Sequence, residues 1–134
     1  MTFKLDQTLE KDSFLIMQLK LCQVRLINNS EFPWVILVPQ LPDISEITDL
    51  CNSEYNLLNQ EIRFVSRAMQ EVTAPDKLNI AMIGNAVSQM HVHIISRYKK
   101  DSLFPKPVWG CDFVPYKKEA LSKIINSLKE KMAE

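Results

Sequence analysis

The chain has no apolar run approaching the ~20 residues that span a bilayer, so no membrane helix is expected. Its first residues, Met1-Thr2-Phe3-Lys4-Leu5-Asp6, hold no long apolar stretch, and Glu10, Lys11 and Asp12 add charge soon after, so no secretory leader is read there. Neither sign of charge is in surplus: 16 Lys and Arg balance 16 Asp and Glu. That balance argues against a broad basic field for nucleic acid, but a single nucleotide needs only local donors. The three cysteines, Cys22, Cys51 and Cys111, are far apart and form no CxxC pair, which argues against a zinc knuckle or a dithiol redox motif. Reduced thiols and a cytoplasmic location are the resulting expectations. No internal repeat or low-complexity tract is present. The remaining composition, 46% hydrophobic and 24% charged over 134 residues, suffices for one domain (residues 1–134) to bury a core without a metal or disulfide.

Hydrophobic periodicity divides the chain. Residues 14–27 are dense in apolar side chains, with Cys22, Val24 and Leu26 alternating against Gln23, Arg25 and Ile27, which predicts a strand with one buried face. Asn28-Asn29-Ser30-Glu31 supplies a turn, and Trp34-Val35-Ile36-Leu37-Val38 reads as a central strand buried on both faces. The two form an expected antiparallel hairpin. Tyr55, Leu58, Ile62, Val65, Met69 and Val72 recur at helical spacing, with Ser53 as the expected N-cap and Pro75 as the stop. Alternation returns over 77–83, Gly84-Asn85 marks a turn, and a strand is expected from Gln89 to Tyr98. Residues 101–115, with Pro105, Pro107, Gly110 and Pro115, read as an irregular loop. Leu121, Ile124, Ile125, Leu128 and Met132 mark a C-terminal helix. The expected class is α+β on an antiparallel sheet.

The two histidines, His91 and His93, stand two residues apart. On a strand, residues i, i+2 and i+4 share a face, so Gln89, His91 and His93 project together while Met90, Val92 and Ile94 enter the core. The segment Ile83-Gly84-Asn85-Ala86-Val87-Ser88 precedes them and offers backbone amides to the same face, an arrangement suited to phosphate. Imidazole, with a reference pKa of ~6.5, is a nucleophile at cell pH when its second nitrogen donates to a fixed acceptor. Attack on phosphorus divides one hard displacement into two easier ones, and neighbouring donors stabilise the developing charge. From the residues alone, two other readings stand beside this one. The pair is a solvated strand face, or it is two ligands of a divalent metal with a third from Asp76, Cys111 or Asp112.

Gln89-Met90-His91-Val92-His93-Ile94-Ile95 resembles the histidine-triad (HIT) motif, His-φ-His-φ-His-φ-φ, where φ is apolar. With Pro107-Val108-Trp109-Gly110 it looks most like the proteobacterial branch of diadenosine tetraphosphate hydrolase-like members. The resemblance covers most of the chain. It implies a HIT-like fold with an antiparallel sheet of about five strands, one long helix packed on it and a C-terminal helix. It implies a hydrolase or transferase acting at the α-phosphorus of dinucleoside polyphosphates or nucleoside phosphoramidates, as a homodimer, with no redox cofactor and no obligatory metal. His91 maps onto the nucleophile and His93 onto a donor to the phosphate or leaving group. Asn28 and Asn85 map onto amides that contact the substrate. The sequence departs from the pattern at three points: Gln89 replaces the first triad histidine, and Ala86 stands where many members carry a hydroxyl, leaving Ser88 nearby. Trp34 stands near the place of a further histidine and reads as packing. Trp109, in the proline-rich loop, is expected to touch the ligand. Arg97, Lys99, Lys100 and Asp101 read as a solvated strand end and turn. A non-catalytic nucleotide-binding homodimer and a metal-binding His-x-His protein are the competing functions.

Overall fold

The most apolar stretch of the sequence, Trp34-Val35-Ile36-Leu37-Val38-Pro39, lies at the centre of the computed structural model, which describes residues 2–134. Every residue of this strand, β3, is buried. Before it come a six-residue helix α1 (Gln7–Asp12), β1 (Ser13–Gln18) and β2 (Cys22–Ile27). After it come α2 (Asn52–Thr73), β4 (Lys77–Ala81), β5 (Val92–Arg97) and α3 (Lys118–Ala133). The five strands form one antiparallel sheet in the order β1-β2-β3-β5-β4, so β5 pairs with β3 on one side and β4 on the other. This is the α+β architecture that the periodicity predicts.

Alternation along the strands builds two cores. Cys22, Val24, Leu26, Val35, Leu37, Val92 and Ile94 face the helices, where Leu58, Val65 and Met69 of α2 and Leu128 and Met132 of α3 close over them. Truncating a fully buried side chain here, such as Leu58 to Ala, would cost about 2–5 kcal/mol. Trp34, Ile36, Val38, Ile27 and Ile95 face the opposite way, covered by Leu9 of α1, Phe32 and Val108. The second face carries His93 and is capped by loops and the short helix α1.

Three boundaries differ from the sequence reading. Residues 14–27 are two strands, turning where the Leu19 amide donates to the Cys22 carbonyl (2.8 Å). That turn is held by the buried carboxylate of Glu61 on α2, which accepts from the Leu21 and Cys22 amides (2.9 Å each). Burial, with Glu61 beside it, also pushes the Cys22 thiol well above its ordinary range. Helix α2 starts with Cys51 rather than Ser53 at its cap, because the Glu54 carboxylate reaches back to the Cys51 amide (2.8 Å). The histidine strand proper begins only at Val92, so Gln89, Met90 and His91 form an irregular lead-in tied by the Met90 amide to the Ile44 carbonyl (2.9 Å). At the far end of α2, Ala74 adopts a left-handed backbone (φ 46°), and Pro75 then prevents the helix from continuing.

Candidate active site

His91 and His93 are buried side by side, with ring centroids 4.8 Å apart. They line a cavity of about 280 Å³ with Asn85 and Ala86 of the preceding loop and Trp109 of the 101–115 loop. Asp12 of α1 completes the wall, a contribution that the sequence did not signal because a six-residue helix carries no readable period. A second cavity of about 280 Å³ is lined by Ser45, Glu46, Ser88 and again His91. Ile83, Gly84 and His91 belong to both, so His91 stands at their junction. Gly84 has φ +68°, a left-handed conformation that a side chain would strain, and this lets the loop turn between the two spaces.

Hydrogen bonds orient the two imidazoles differently. His91 Nδ1 is 2.7 Å from the Gln89 carbonyl oxygen. A carbonyl only accepts, so Nδ1 carries the proton and the lone pair resides on Nε2. The indole Nε1–H of Trp34 donates to His93 Nδ1 over 2.9 Å. Burial, and secondarily the neighbouring His91, press the His93 pKa from 6.5 down to about 3. Trp109 stands edge-on to His93, with centroids 4.7 Å apart, and also to Trp34 at 5.6 Å. Phe113 meets Trp34 at 5.7 Å. Trp34 is therefore a hub of the site, a position that sequence reading assigned to packing.

The other candidate residues divide. Asn85 and Trp109 line the first cavity and Ser88 the second. The Gln89 side chain turns away from both rings: its Oε1 accepts from the Asp6 amide (2.8 Å) and its Nε2 donates to the Lys4 carbonyl (2.9 Å), pinning the N-terminal segment. Asn28 is not among the lining residues; its Oδ1 accepts from the Tyr116 amide (2.9 Å). Its neighbour Asn29 is fully buried and accepts from the Val114 amide (3.3 Å), so both asparagines anchor the far end of the loop that carries Trp109.

The near end of that loop is anchored by an ion pair rather than solvated. Arg97 meets Asp101 through Nε (2.8 Å) and a second guanidinium nitrogen (3.1 Å), with the two side chains 1% and 5% exposed. Arg97 also donates to Asn79 (2.9 Å) and lies over the Phe32 ring. Asp101 further accepts the amides of Tyr98, Leu103 and Phe104. These bonds, the Arg97 bond first, hold its carboxyl far below the usual carboxylate range. Among the described residues, no group of three His, Cys, Asp or Glu is arranged to hold a metal ion, and Asp76 is engaged instead with the Lys99 amide (2.8 Å).

The paired imidazoles follow a Gly-Asn turn, His91 in the lead-in and His93 on β5. The HIT domain model matches residues 8–100. The chain belongs to the HIT family. A histidine triad protein from Bradyrhizobium japonicum is 40% identical, with a TM-score of 0.97 over 98% of this chain and 99% of its own. A HIT protein from Sinorhizobium meliloti 1021 is 39% identical, with a TM-score of 0.94 over 97% of each chain. One from Marinobacter aquaeolei VT8 is 37% identical, with a TM-score of 0.96 over 99% of this chain and 98% of its own. A Plasmodium falciparum diadenosine triphosphate hydrolase, 18% identical, shares the fold at a TM-score of 0.68 over 98% of this chain and 80% of its own. No curated protein matches the chain. Among the described residues, no helix of this HIT protein is long and apolar enough to cross a membrane.

Proposed function

We propose that this protein is a nucleotidyl hydrolase or transferase that cleaves at the α-phosphorus of a nucleotide through a nucleotidyl-His91 intermediate. One observation carries the reading: His91 Nδ1–H donates to the Gln89 carbonyl, leaving the Nε2 lone pair on a residue shared by two cavities. Nε2 forms a bond to phosphorus as the bond to the leaving oxygen or nitrogen breaks, the leaving group departing with the electron pair, a nitrogen leaving group taking up a proton from solvent. Water then attacks the same phosphorus, the N–P bond returns its pair to Nε2, the water's surplus proton passes to solvent, and the nucleoside monophosphate is released. The Nδ1–H to carbonyl bond stabilises positive charge on the ring while the adduct exists. His93 supplies a donor to the phosphoryl oxygens or leaving group. Asn85, Ser88 and Trp109 are assigned to substrate contact; Gln89 contributes its carbonyl.

Charge bears on the substrate. Among the described residues lining the two cavities there is no Lys or Arg, while Asp12 and Glu46 each present a carboxylate. A long polyphosphate meets repulsion there, so nucleoside phosphoramidates and similar singly charged esters are favoured over dinucleoside polyphosphates. The Pro107-Val108-Trp109-Gly110 loop, whose Trp109 lines the first cavity, supports placement in the diadenosine tetraphosphate hydrolase-like branch. The chain acts as one domain over 1–134, in the cytoplasm, and pairs with a second copy along β4. The deciding experiment is a hydrolysis screen of adenosine 5′-phosphoramidate against diadenosine polyphosphates, in wild type and His91→Ala. Turnover with a trapped nucleotidyl adduct, both lost in His91→Ala, is the expected result. AMP binding without turnover, or full activity in His91→Ala, overturns it.

A further inference from the structure

We propose that Trp34 is a positioning residue that holds His93 as a neutral imidazole with its proton on Nε2. The indole Nε1–H can only donate, and it lies 2.9 Å from His93 Nδ1. Nδ1 must therefore present a lone pair, and the single ring proton of a neutral His93 belongs on Nε2. An imidazolium would set a second N–H against the indole N–H at that distance, with no acceptor between them. Trp34 is itself 4% exposed and packs edge-on against Trp109 and Phe113.

The surroundings act in the same direction. Register places Ile36 of β3 and Ala81 of β4 opposite His93, and neither carries charge. The titratable groups that line its cavity are His91, Asp12 of α1 and Cys111 of the loop. None of the three is hydrogen-bonded to His93. His91 and His93 then have opposite tautomers: a lone pair on Nε2 of His91, a proton on Nε2 of His93. One ring attacks and the other donates, and neither has to exchange a proton with the other first. A neutral donor also keeps its hydrogen throughout the working pH range, where an imidazolium would lose one near its pKa. The catalytic part of this assignment rests on the proposed nucleotidyl transfer; the tautomer does not.

The test is nitrogen NMR of the ring-labelled protein. The chain has two histidines, so His91→Ala assigns the spectrum. Wild-type His93 is expected to show an unprotonated Nδ1 and a protonated Nε2, unchanged from pH 8 to pH 5. In Trp34→Phe, which keeps an aromatic ring and the burial but removes the donor, His93 becomes a mixture of tautomers. With adenosine 5′-phosphoramidate as probe, kcat falls by roughly tenfold or more, as for a misdirected catalytic group. KM changes less. A wild-type His93 protonated on Nδ1, or titrating near 6.5, overturns the proposal, as does a Trp34→Phe variant whose His93 keeps its single proton on Nε2 alone. Should Trp34→Phe fail to fold, the wild-type spectrum alone decides. Wild-type protein that shows the expected tautomer but no turnover refutes the catalytic reading and leaves the positioning intact.

Discussion

His91 Nδ1 and the carbonyl oxygen of Gln89 stand 2.7 Å apart, so the backbone of residue 89 orients the nucleophile while its side chain holds a different part of the molecule. Substitution separates these two duties. Gln89→Ala removes the bonds to the Asp6 amide and Lys4 carbonyl, at about 1 kcal/mol each, but leaves the orienting carbonyl in place. The N-terminal segment leads into α1, whose Asp12 lines the cavity, so loosening it enlarges KM while kcat stays close to wild type. Steady-state kinetics beside a thermal melt checks this. A collapse of kcat comparable to that of His91→Ala would mean that the Gln89 side chain takes part in the chemistry.

The Trp109 loop depends on Asp101. Its carboxylate gathers the Arg97 guanidinium and three backbone amides, so Asp101→Ala strands a guanidinium that is 1% exposed. Breaking one partner of a buried pair costs about 3–5 kcal/mol, whereas replacing both by apolar residues of similar size costs less. Denaturant unfolding of Asp101→Ala and of the Arg97→Met/Asp101→Leu double variant is expected to show the single variant as the less stable. Tryptophan emission should shift to the red in Asp101→Ala at denaturant concentrations that leave the protein folded, because Trp109 is already 41% exposed and its anchor is gone.

The legibility of each element in the sequence depends on how local its signal is. β3 and α2 announce themselves because their periods are carried by their own residues: a continuous apolar run, and a stripe from Tyr55 to Val72. The split between β1 and β2 is hidden because the group that fixes the turn, Glu61, lies about 40 residues further along the chain. The pairing of the imidazoles is legible from strand alternation. Trp34's part in the site is not, since it reaches His93 diagonally across two strands: Trp34 is opposite Ile95, and His93 is opposite Ile36. Asp101, close behind two lysines, has the look of a solvated turn in sequence, and only the fold sets Arg97 beneath it.

Acid should destabilise the fold in two stages. His93 has a pKa near 3 in the folded protein against 6.5 as the ordinary value, so the unfolded chain binds the extra proton between those limits. Its contribution is full above pH 6.5 and is lost as pH falls toward 3, at up to about 1.4 kcal/mol per pH unit. Asp101, held below its ordinary 3.8, adds a further loss only below that value. Urea midpoints measured from pH 8 to pH 4 should therefore fall, and His93→Phe should flatten the slope between 6.5 and 4. An unchanged slope in His93→Phe would assign the acid sensitivity to other groups.

Strand β4 pairs with β5 on one side, and its other side is an edge of the sheet. Ile80 on the strand, with Met82 and Ile83 just beyond it, are each about half exposed at 50%, 46% and 48%. A β edge with unpaired amides and exposed branched side chains is a template for another strand. Natural edges commonly carry charge or proline, yet here Lys77 is the one charged residue of Lys77-Leu78-Asn79-Ile80-Ala81. A second copy meeting it antiparallel would continue the five-stranded sheet into ten and cover all three side chains by symmetry. Sedimentation equilibrium should find two chains per particle for wild type and one for Ile80→Lys, which places a charge at the seam without touching either core. Ile83 lines both cavities beside His91, so the monomeric variant is expected to lose substrate affinity more than kcat. A wild-type particle of one chain would refute pairing along β4.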